Sequence, residues 1–158
     1  MTTPSHYWKS VLRRQSATLD KLQQPHRWSE ASSVRLEEAV VLGFYAIRKL
    51  ITSFLLSSTL VHRPVRMNAF PARRQDGLGP GDEEIDKLYD LNAGRIVSHD
   101  LLFLCHQVTH NCAFHPTFDQ AKNLRGLYVT SDHQRKVALY GIDLDQLSAL
   151  FQQVGDEH

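Results

Sequence analysis

Cysteine is scarce in this chain: Cys105 and Cys112 are the only two in 158 residues. Two thiols cannot form the multi-bridge framework that staples small secreted domains. They do not form a C-x-x-C pair either, so the usual zinc and thiol-redox spacings are missing. Net charge is nearly absent. Eighteen basic and seventeen acidic residues leave +1, which argues against a surface coated for non-specific polyanion binding but allows a local basic patch. A long apolar run is also lacking. The richest stretch, residues 39–56, is interrupted by Arg48 and Lys49, so no membrane span is expected. The opening Met-Thr-Thr-Pro-Ser-His has no apolar segment. A signal peptide is therefore not expected, and the cytoplasm with reduced thiols is the expected location. H-E-x-x-H, G-x-G-x-x-G and P-loop patterns do not occur, nor do internal repeats or low-complexity tracts. The length suits one domain, residues 1–158, with a core of its own.

What is present is concentrated between Ser98 and Pro116. This stretch holds both cysteines and four of the nine histidines. The spacing predicts a helix opened by Ser98 as N-cap and stopped by Pro116. Leu101, Leu104, Cys105, Val108 and Cys112 would form an apolar stripe. His99, Phe103, His106 and His110 would lie nearly opposite. The two cysteines would stand about 10 Å apart on such a helix at 1.5 Å per residue, too far for a disulfide.

Four readings of that histidine face are open. It can be an ordinary solvated surface. It can be a zinc site, with His106 and His110 at i and i+4 joined by Cys112 and His115. Cys105 can be a nucleophile beside His106, although an apolar stripe keeps a thiol inert. Finally, Leu104-Cys-His-Gln-Val-Thr-His110 resembles the signature of HEPN domains, the higher eukaryote and prokaryote nucleotide-binding helical bundles. In those, an arginine, often followed by a polar residue, precedes a histidine late in one helix. The matching positions here are Cys105, His106 and His110, so the arginine fork for a phosphate is missing. The resemblance covers roughly residues 30 to 116. It implies an RNA- or nucleotide-binding module, or a regulatory relative without the family's nuclease activity. His110 is then the one catalytic-type residue, and a homodimer is the expected assembly. The alternative is a metal-binding or purely structural interaction subunit with no active site.

The flanking segments predict a mainly α (α+β) fold: a helical bundle with an appended β-hairpin and a C-terminal helix. Thr3-Pro4 starts a helix running to about residue 23. Ser29 starts the longest helix, about residues 30 to 56, with Gly43 at a close helix crossing. Residues 57 to 81, rich in proline and glycine, read as a basic connector, with Val65 to Phe70 as a short extended piece. Its Arg63, Arg66, Arg73 and Arg74, together with Phe70, His99 and His106, are the candidate binding residues; the arginines could contact phosphates and Phe70 could stack a base. A short helix follows over residues 82–91. Residues 124–130 and 136–142 read as a hairpin, and Asp143 with Gln146 as a capping box opening the last helix.

Overall fold

The structure, a computed structural model, describes residues 4–73 and 85–157. Six helices and five strands follow one another along these residues: α1 (Pro4–Leu22), α2 (Glu30–Thr52), α3 (Ser58–Val61), β1 (Val65–Pro71), α4 (Ile85–Leu88), β2 (Arg95–His99), α5 (Leu101–Thr109), β3 (Asn111–Phe118), β4 (Leu124–Ser131), β5 (Ala138–Asp143) and α6 (Leu144–Asp156). The strands form one antiparallel sheet in the order β2-β1-β5-β4-β3. The fold is α+β, with a helical layer packed on a sheet. The bundle expected from the sequence is corrected by that sheet: the hairpin is its centre, not an appendage.

The helices α2 and α6 each present one apolar face. In α2, Ser29 accepts from the Ser32 amide and Ser32 accepts from the Ser29 amide, a reciprocal cap. Leu36, Val40, Phe44, Ile47 and Leu50 then fall on one side and are fully buried. In α6, Leu144, Leu147, Leu150, Phe151 and Val154 recur at helical spacing and are buried as well. Asp143 precedes α6 as its N-cap, but its side chain makes no capping hydrogen bond, so the expected box does not form. The helices α1 and α6 lie together, α1 flanks α2, and α2 packs on α5; α5 and α6 rest on β4. A buried serine pair joins α1 to α6, Ser16 Oγ to Ser148 Oγ at 2.9 Å. Gly43, expected at a close helix crossing, instead makes room for a side chain: a Cβ there would overlap the Phe151 ring from α6.

Leu101, Leu104 and Val108 are buried in the same core as Phe44 and Ile47, and the Cys105 thiol donates to the Phe44 carbonyl at 3.6 Å. The central helix is nonetheless much shorter than its pattern predicts. Asp100, not Ser98, is the N-cap, its carboxylate accepting from the Phe103 amide at 2.9 Å. Asn111 ends the helix by donating from Nδ2 to the Val108 carbonyl. Ser98 lies in β2, and Cys112 to Pro116 lie in β3. Pro116 does not stop a helix. It sits on the outermost strand of the sheet, the position where a proline is tolerated. The connector at 57–81 contains β1, which pairs on both sides, with β2 and with β5.

The pleat sorts side chains between two apolar clusters. Val65, Met67, Ala69, Leu127, Val129, Tyr140 and Ile142 face the helices in the main core. Leu88, Tyr89, Ala113 and Leu139 form a smaller cluster joined by Phe70 and Tyr128. Tyr89 is fixed there, its hydroxyl donating to the Arg135 carbonyl at 2.8 Å, and burial pushes it up to about 12.

Candidate functional site

The sheet separates the residues that the sequence grouped. Along β1, burial alternates, with Val65, Met67 and Ala69 inside and Arg66 and Asn68 exposed. Arg66 lines a shallow groove of about 290 Å³ with Asn68, Ile96, Gly141, Asp143 and Gln146, so an acid shares its surroundings. Phe70 is half-buried against Tyr128, with ring centroids 5.5 Å apart, and Gly94 and Gly141 leave room for its ring. It packs the second cluster and is not displayed for stacking. Arg73 is held locally, its Nε donating to the Asp86 carbonyl at 2.9 Å and its guanidinium 3.7 Å from Asp90. Arg63 is exposed after α3. Arg74 lies outside the described residues. The described arginines of the expected basic loop therefore do not converge.

The histidine face divides too. His106 and His110 are both exposed, with ring centroids 4.8 Å apart, and His110 is the C-cap of α5. Exposed His133 approaches His106 at 6.3 Å. His115 is instead half-buried on β3, where burial lowers its pKa. Among the described residues, no three histidine, cysteine or acidic side chains are placed to hold one ion. Cys105 is buried and pushed up to about 12, chiefly by desolvation, which suits a packed thiol rather than a nucleophile. Cys112 is free as well, so no disulfide joins the pair. Burial raises its thiol, and the Asp132 carboxylate adds to the effect.

His99 ends elsewhere. It closes β2, opposite Val65, on the helix side of the sheet. Its ring stacks on Phe103 from the first turn of α5, with centroids 3.7 Å apart and planes 14° apart. Tyr140 stands edge-on to both rings, at 6.0 Å and 5.2 Å. These three rings form one wall of a cleft of about 600 Å³. Ala69, Val97 and Ala138 are among its apolar lining, and Arg95 and Gln134 among its polar lining. Gln134 is oriented, its Oε1 accepting from the Tyr140 hydroxyl at 3.0 Å. Burial lowers the His99 pKa, against a smaller opposing effect of Asp100, so the imidazole is the neutral, stackable form near neutral pH.

The local sequence explains this construction. Arg95, Val97 and His99 share one face of β2 because side chains alternate in a strand. Asp100 then starts α5 at once, and the sharp strand-to-helix turn brings Phe103 back over His99. Of the residues lining this cleft, the sequence reading named His99 as a candidate binding residue and did not name Arg95, Phe103, Gln134 or Tyr140 as such. The signal for β2 was Arg-Ile-Val-Ser-His itself, with β-branched residues at its centre. No local pattern placed Gln134 and Tyr140, which come from the β4–β5 connection and β5. Comparisons with family models, curated proteins and solved structures gave no match for this chain.

Proposed function

We propose that the protein is a binding module for a nucleotide or a short single-stranded RNA element, held in the cleft beside β2. The observation that carries this reading is the parallel His99–Phe103 stack facing a concave apolar surface with a guanidinium at its other end. A base extends such a stack, and base–aromatic stacking contributes about 1–3 kcal/mol per base. Arg95 supplies a permanent cation with a fork suited to phosphate oxygens. Four residues of strand separate His99 from Arg95, about 13 Å at 3.3 Å per residue, which is room for a base at one end and a phosphate at the other. Gln134 offers a side-chain amide to a base edge. Binding rather than catalysis fits this site, because none of its groups is paired as nucleophile and base.

The test is calorimetric titration with AMP, ADP and a short oligouridylate at low salt. Measurable binding that weakens as salt rises is expected, since phosphate contacts release counterions. Arg95→Ala should lower affinity about tenfold or more, the loss of a charge-assisted hydrogen bond being on the order of 1.5–3 kcal/mol. Arg66→Ala, on the other face of the sheet, should leave it unchanged. Absence of binding by folded protein, or equal affinity with and without Arg95, defeats the reading.

A further inference from the structure

The outer side of α2 carries apolar residues that the described chain leaves substantially exposed. Val34 is 57% exposed, Leu42 38% and Tyr45 41%. At about 100° per residue they share one helical face with Glu30, Glu38 and Lys49, all three of them exposed. The opposite side of α2 is buried against α1 and α5. None of these outward residues lines the cleft.

Charge along this face is polar in the sense of the chain. Its N-terminal half holds Glu30 and Glu38 around Val34, in a hollow of about 580 Å³ that also takes Arg35 at its edge. Its C-terminal half holds Lys49, whose ammonium lies 5.5 Å from the Tyr45 ring centroid. No Asp or Glu occurs from residue 39 to residue 75. The stripe is therefore complementary to itself when reversed. An antiparallel α2 pair with its two-fold axis near Leu42 sets Val34 opposite Lys49 of the second copy and Glu38 opposite its Tyr45. Leu42 meets Leu42 at the axis. Each lysine then lies within reach of Glu38 and Glu30, and the apolar residues cover one another.

We infer that the α2 face is an isologous dimer interface, whose occupant is a second copy of this chain in antiparallel register. A two-fold contact uses the same patch twice, so one self-complementary stripe suffices. Tyr7, 57% exposed on α1, and the Trp8 ring packed 5.5 Å from Tyr45 widen the patch beside α2. The partner chemistry follows from this face alone and does not depend on what the cleft holds.

Sedimentation velocity over a wide concentration range tests it. The full chain should shift from monomer to dimer mass as concentration rises. Leu42→Glu should hold it monomeric with unchanged circular dichroism, because residue 42 contributes little to the core. Lys49→Glu should weaken the dimer about tenfold or more. Glu38→Lys combined with Lys49→Glu should recover part of it, since the pair re-forms across the two-fold contact with exchanged signs while Glu30 keeps its own. A chain that stays monomeric at all concentrations overturns the inference and leaves the face to a different protein. A dimer indifferent to Leu42→Glu, or a double reversal no better than Lys49→Glu alone, overturns it equally.

Discussion

Phe54 stands in a local conformation that disfavours its side chain. The α2 helix ends in a full Schellman motif: the Leu55 amide donates to the Leu50 carbonyl at 2.8 Å and the Phe54 amide to Ile51 at 3.1 Å. Phe54 occupies the position that glycine usually takes, with φ of 58° and 93% of its surface exposed. A side chain in that region costs about 1–2 kcal/mol. Phe54 recovers little of this from packing. Phe54→Gly should therefore stabilise the protein by about 1 kcal/mol, less the extra unfolded-state freedom of glycine. Chemical denaturation measures it, and a lower denaturation midpoint would show that the ring makes an undetected stabilising contact. Cys105 shows the converse. Its chemistry is suppressed by the same burial that makes it useful as a small apolar residue between α5 and α2.

Among the elements, α2 and α6 meet through one side chain, Phe151. The Phe44 and Phe151 rings meet edge to face at 5.3 Å, and Phe151 also lies against the bare Gly43 backbone. Alanine is the better helix former by about 1 kcal/mol. Here the added methyl would overlap a buried ring, and overpacking typically costs about 1–3 kcal/mol. Gly43→Ala should thus lower the melting temperature despite the propensity gain. A rise in melting temperature would mean that the helices separate more freely than their packing indicates. The α5 helix makes the complementary point. Its buried Gln107 is not an apolar stripe residue, yet its Oε1 accepts from the Ser131 amide at 3.0 Å and ties the helix to the end of β4.

For the whole molecule, His99 and His115 couple stability to pH. Burial lowers both below the ordinary histidine value of 6.5. Above that value both are neutral, folded or unfolded, and contribute no pH dependence. As pH falls below it, the unfolded chain takes up protons that the folded chain resists, so stability is lost on acidification. The melting temperature should drop from pH 7 towards pH 5, and the His99→Asn, His115→Asn double variant should drop less. Equal acid sensitivity would assign the effect to other groups. The helices α1, α2 and α6, their buried faces and the β4–β5 hairpin were legible in the sequence because period and caps are local properties. So was the absence of a helix able to cross a membrane, which holds among the described residues. The ends of α5 were not legible. Cys112-Ala-Phe-His-Pro116 can continue a helical stripe or alternate as a strand, and pairing with β4 decides between them. Nor was the separation of Arg66 and Phe70 from His99, which needs the strand pleat and the placing of β1 between β2 and β5. Local sequence determined which segments bury apolar surface. Tertiary pairing decided which face each candidate residue shares, because a strand's neighbours are set by residues far away in the chain.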